Sequence, residues 1–159
     1  MRNWIFLAVI FSLGIMQATL LDIFRIFNLK ADLLLASVVI ASLLFGSGWA
    51  VFYSLCAGIA KDVFSHGEPA SLNTVMFVLY SLLLTWLSRK ITLENNYLRT
   101  ALVFMIALLH NVITGFVWIC LGKTLPYGIF FRVVFLASFY TACAFLVLLK
   151  VSPKEFLAQ

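Results

Sequence analysis

The sequence predicts an all-α integral membrane protein, a compact bundle of six transmembrane helices (five as the alternative) with a short helix in second place. Three observations predict it. Of the 159 residues, 64% are hydrophobic and only 11% are charged, against about 45–50% and about 25% in soluble domains. The mean hydropathy is +1.11, and a soluble chain of this length has no interior large enough for so much apolar side chain. Long uncharged runs recur, and a bilayer core of about 30 Å takes roughly 20 apolar residues per helix. Six spans then use most of the chain, so that residues 1–159 form a single transmembrane domain with a polar C-terminal tail, about 150–159.

The first span runs from Asn3 to Leu21. A basic residue followed by an apolar stretch also suits a signal peptide, but the length of the run and the spans behind it favour an uncleaved helix. A mixed-charge connector covers Asp22 to Asp32. Leu33 to Ala60 carries no charge at all, and as one helix it would measure about 42 Å, too long for one span and short for two. The Gly46-Ser47-Gly48 triplet is the natural break. The second span is therefore short, Asp32 to Phe45 with Asp32 as its N-cap, and the third runs from Trp49 to Phe64. SHGEPASLN is a loop. The fourth span covers Leu72 to Leu87, the fifth Thr100 to Leu121 and the sixth Ile129 to Leu149, separated by SRKITLENNYLR and GKTLPYG.

The net charge of +5 is best read as topology, because cytoplasmic loops favour Lys and Arg. No basic helix or stripe suggests nucleic acid. With six spans and both termini inside, Arg2, Arg89, Lys90, Arg99, Lys150 and Lys154 are cytoplasmic. Fusing the second and third spans and placing the N-terminus outside satisfies the charge rule better. The Gly-Ser-Gly break and the excessive length of the fused helix favour six. Both arrangements put the C-terminus in the cytoplasm. Trp4, Trp49, Trp86 and Trp118 fall near span ends in either, where indoles favour the interface.

Gly46, Ala50, Ser54 and Gly58 recur at every fourth position and make one face of small side chains. In lipid such a face lets two backbones approach closely, with a partner helix in this chain or in another. The stripe ends on Asp62, next to Lys61. The pair reads either as an interfacial ion pair or as part of a site. Under six spans Asp22, Arg25, Lys30, Asp32, Lys61, Asp62, Glu68, Lys123 and Arg132 gather on the external side. Of these, Asp32, Lys61, Asp62, Arg25 and Arg132 are candidates for binding a partner or a polar ligand. His110 and Asn111 are polar residues within a span, where an ionisable group is a functional candidate by default; a neutral histidine bonded to another helix is the plainer reading. Cys56, Cys120 and Cys143 lack metal or disulfide spacing. No zinc-binding, nucleophile-turn or phosphate-loop pattern occurs. The sequence therefore points to no catalytic residue, no metal and no cofactor.

"NLKADLLLASVV" (Asn28 to Val39), followed by "AGIAKDVFSHGEP" (Ala57 to Pro69), resembles the MreD family of rod-shape-determining membrane proteins. That family opens a leucine-rich second helix with an aspartate, then runs through glycine-spaced residues to another aspartate and a glycine-containing loop. Where it commonly has a proline before the first aspartate, this chain has Ala31. The resemblance implies a non-catalytic scaffold subunit of the bacterial cell-elongation complex in the inner membrane. Its implied partners are MreC, the actin-like MreB and the RodA–penicillin-binding-protein peptidoglycan synthase, with Asp32 and Asp62 shaping an external docking surface. The family also resembles, in span number and layout, the substrate-binding subunits of energy-coupling-factor transporters. The alternative function is therefore a vitamin-binding transporter subunit.

Overall fold

A computed structural model describes Ser12 and residues 31–45, 47–64, 71–90, 95–122 and 127–151. The first predicted span apart from Ser12, residues 22–30 of the Asp22–Asp32 connector, Gly46, the loop residues 65–70, 91–94 and 123–126, and the C-terminal tail beyond Val151 lie outside these residues, so the count of six spans is not tested by them. The described residues form five α-helices and no strand: α1 (Leu33–Leu44), α2 (Ser47–Phe64), α3 (Leu72–Ser88), α4 (Asn96–Cys120) and α5 (Tyr127–Val151).

Among the described helices α1 is the central one. It is only 12 residues long, about 18 Å, and it touches all four other helices. A helix apolar on every side must be covered on every side, and Leu34, Leu35, Ala36, Val38, Val39 and Ala41 are each 1% exposed or less. Its serines are buried at little cost because each hydroxyl bonds back to its own helix, Ser37 to Leu34 O and Ser42 to Val38 O, both at 2.7 Å. The helix stops where Phe45 turns extended. Ser47 and Gly48 already belong to α2, so the glycine-rich triplet marks the break but helical geometry resumes two residues before the expected Trp49.

Helices α2 and α3 form a closely packed antiparallel hairpin, and α4 and α5 form a second. Ala50, Ser54 and Gly58, three members of the small-residue stripe, are buried. Gly58 lies against α3 so tightly that an added Cβ would come within 2.4 Å of Thr74 Cα. The partner of that face is therefore a helix of this chain. Helix α4 starts four residues before the expected Thr100, because Asn95 caps it, its side chain accepting from Tyr97 N at 3.0 Å.

The outer faces are apolar. Val63, Trp86, Met105, Phe116, Phe131 and Val147 are all more than half exposed. Helix α4 and the Phe130–Val147 part of α5 are long and apolar enough to cross a membrane, yet only 22% and 33% of those windows are buried inside the protein. A core helix of a soluble protein would be mostly covered.

The Gly58 contact gives a test. Gly58→Leu must push two backbones apart, and overpacking costs about 1–3 kcal/mol or more. Ile59 is 49% exposed on the neighbouring face, so Ile59→Leu leaves stability unchanged. Thermal unfolding of the two variants in the same detergent is expected to separate them clearly; equal melting would remove the α2–α3 contact.

Candidate functional site

Two of the charged residues, Asp32 and Lys61, meet His110 inside the bundle. Asp32 is the N-cap of α1. Its Oδ1 accepts from Leu35 N at 3.0 Å, and its backbone carbonyl accepts from Ala36 N at 3.1 Å. Its own N–H donates to Thr141 Oγ1 of α5 at 3.0 Å. The other carboxylate oxygen, Oδ2, takes the Lys61 ammonium of α2 in a short ion pair. Lys61 Nζ also meets His110 Nε2 of α4 at 2.9 Å and lies 5.1 Å from the centroid of the Phe77 ring, within cation–π range. The side chains of Lys61, Asp32 and His110 are 12%, 17% and 4% exposed.

An ammonium has only donors. When Lys61 donates to Nε2, the imidazole is neutral and carries its hydrogen on Nδ1. The trio thus holds one negative and one positive charge, and removing a charge pair from water is tolerable only when each member is bonded on several sides. Lys61 has a carboxylate, an imidazole and an aromatic face around it, and Asp32 has a cation and a helix start.

Depth distinguishes this arrangement from the expected cluster at the external end. His110 lies about 21 Å from the Asn96 end of α4 and about 15 Å from the Cys120 end, taking 1.5 Å per residue. Thr141 is similarly placed along α5. Asp32 and Lys61 therefore meet His110 partway along the two longest helices. The reason is the shortness of α1, which starts inside the bundle instead of at its surface.

Asp62, one residue from Lys61, points elsewhere. It accepts from Asn73 N at 3.1 Å, Asn73 Nδ2 at 3.0 Å, Thr74 N at 3.0 Å and the Thr74 hydroxyl. Helix α3 needs this. Its N-cap residue Ser71 sits in the left-handed region at φ 72° and makes no side-chain cap bond, so the N–H groups of the first turn are bonded from the neighbouring helix. Arg132 is exposed on α5, about 14 Å along the axis from Thr141. Arg25 and Gly46 lie outside the described residues. Asn111 donates from Nδ2 to Ser138 Oγ at 3.0 Å, tying α4 to α5.

Six contributors are not singled out by the sequence: Asn73, Thr74, Phe77, Tyr80, Ser138 and Thr141. Phe77 and Tyr80 flank the His110 ring, with centroids 5.7 and 6.0 Å away. The available signal was a lone polar or aromatic group in an apolar run, which by itself names no partner. The described residues contain no group of three or more His, Cys, Asp or Glu side chains placed to hold a metal ion. Comparison with known proteins finds no matching family model, no similar curated protein and no similar solved structure.

Asp32→Asn retains the cap geometry but strands the Lys61 charge among apolar side chains. The expected loss is about 3–5 kcal/mol, and adding Lys61→Met should restore most of it, since neutral replacements of a buried pair are commonly tolerated. Asp62→Ala removes a cap and should cost about 1–2 kcal/mol with no dependence on residue 61. Unfolding in detergent of the single and double variants measures both couplings; an Asp32→Asn protein as stable as the parent would show that the ion pair is dispensable.

Proposed function

We propose that the chain is a multi-pass inner-membrane scaffold of the MreD type, a non-catalytic subunit of the bacterial cell-elongation machinery. Six spans, with both termini in the cytoplasm, complete the reading. The observation that carries it is where the family-like charges are used. Asp32 and Asp62, the two aspartates on which the resemblance rests, both close helix starts inside the bundle. Their carboxylates are committed to holding helices, which suits a rigid body that positions partners. The apolar outer faces of α4 and α5 support insertion in a bilayer, where only helices and closed barrels satisfy their backbone groups. Arg89 and Lys90, exposed at the end of α3, fit a cytoplasmic turn, with Lys90 Nζ 4.1 Å from the centroid of the Trp86 ring as expected of interfacial groups.

On this reading MreC is the first partner, with MreB and the RodA–penicillin-binding-protein synthase reached directly or through it. Gentle detergent purification followed by mass spectrometry of proteins and small molecules tests it. Retention of a single-pass partner of the MreC type is expected. A tightly held vitamin together with an ATPase module would replace the scaffold reading by the transporter one. Topology is checked separately: a reporter after Gly48 should read cytoplasmic and one after His66 external. An external N-terminus would eliminate the six-span arrangement.

A further inference from the structure

Helix α3 packs into the bundle with Phe77, Tyr80 and Leu84, which are buried, and turns the opposite face outward. On that outer face Val75, Leu79, Leu82, Leu83 and Trp86 are each about half exposed. Their spacing keeps them on one line down the helix. From Val75 to Trp86 the line measures about 17 Å, close to half of a hydrocarbon core of about 30 Å. An acyl chain of one leaflet has the length to lie along it.

The line ends on charge. Arg89 and Lys90 follow Trp86 within little more than a turn, and both are exposed. Lys90 Nζ stands 4.1 Å from the centroid of the Trp86 ring, which holds the ammonium where apolar surface gives way to polar. The Lys90 N–H donates to Leu87 O at 2.9 Å, keeping the pair folded against the end of the helix. Among the described residues neither side chain has a carboxylate partner. Two adjacent cations thus stand at the head of an apolar track with their charge uncompensated.

We propose that this face of α3 binds an anionic phospholipid, with its phosphate on Arg89 and Lys90 and one acyl chain along Leu83, Leu79 and Val75. The guanidinium fork fits two phosphate oxygens, and the ammonium adds a point charge beside it. Charge complementarity selects the lipid class. A choline or ethanolamine headgroup brings a cation of its own next to these two, and the Trp86 face that could receive it is already engaged by Lys90. Phosphatidylglycerol brings a phosphate and no cation. The site rests on insertion of the chain in a bilayer, as proposed above, and on nothing about its protein partners.

The full chain with Trp4→Phe, Trp49→Phe and Trp118→Phe keeps Trp86 as its only tryptophan. In phosphatidylcholine vesicles, dibrominated phosphatidylglycerol or dibrominated phosphatidylcholine is added at equal fraction, and quenching of Trp86 is read. Two basic residues at the headgroup level should favour the anionic lipid roughly tenfold. Arg89→Gln combined with Lys90→Gln alters exposed side chains only; it should melt with the parent and bring the two lipids to parity. Arg132→Gln, on α5, should keep the preference. Should the tryptophan variants fail to fold, mass spectrometry of the unaltered chain released from nanodiscs of both lipids in equal parts reads the same ratio. Equal quenching by the two lipids would overturn the proposal and leave the chain in its bilayer. No quenching by either would place Trp86 away from lipid and overturn the bilayer reading as well. A preference that survives the double variant would also overturn the proposal. A preference abolished by inorganic phosphate, but not by chloride of equal ionic strength, would replace the lipid by free phosphate.

Discussion

A helix that begins inside an apolar bundle brings its first four backbone N–H groups into a place where little water can receive them. Helix α1 begins that way, and the arrangement around it follows from meeting the need at Asp32. A carboxylate is a strong acceptor for a helix N-terminus because it also complements the helix dipole. It imports a negative charge, however, and that charge requires a cation at the same depth. Lys61 supplies the cation, and a lysine so placed needs further acceptors and an aromatic face, which His110 and Phe77 provide. One short helix thus ties α1, α2, α3 and α4 to a single point, with Thr141 adding α5 through the Asp32 N–H.

Helix α3 repeats the problem and solves it differently. Its own N-cap position is occupied by a residue with positive φ and no side-chain cap bond, so its acceptor comes from Asp62 on α2. That reach is possible only because Gly58, one turn earlier, lets the two helices approach to backbone contact. The stripe of small residues and the carboxylate that ends it are therefore parts of one device. Close approach brings Asp62 over the start of α3, and the bonds it accepts there hold the approach in place. The same logic appears between α4 and α5, where Gly115 is so near Phe130 that an added Cβ would fall 2.2 Å from its ring, and Asn111 bonds Ser138 beyond it.

What could be read in the sequence was local. The uncharged run from Leu33, the glycine-rich break and the aspartate ahead of the leucines give α1, its length and its cap, because these depend on neighbours in the chain. Gly58 and its stripe announce a close contact for the same reason. The pairing of charges was not legible. Lys61 and Asp62 are adjacent, and periodicity places them about 100° apart on a helix, but it cannot say which of them turns towards Asp32 and which towards Thr74. Those partners lie far along the chain, and only the packing of α1 between the hairpins selects them. Depth was hidden for a related reason. Asp32 and Lys61 meet His110 partway along α4 because α1 is a core helix that starts inside the bundle.

This distribution of charge also bears on the two functional classes. Asp62 spends its oxygens on α3, and Asp32 spends its own on α1 and Lys61, so neither carboxylate can turn outward to a partner without releasing a helix start. A docking surface on this body must then be made by apolar faces and by side chains nearer the ends, Arg132 among them. The carboxylates hold the bundle together from within, Asp32 joining α1 to α2 and Asp62 joining α2 to α3.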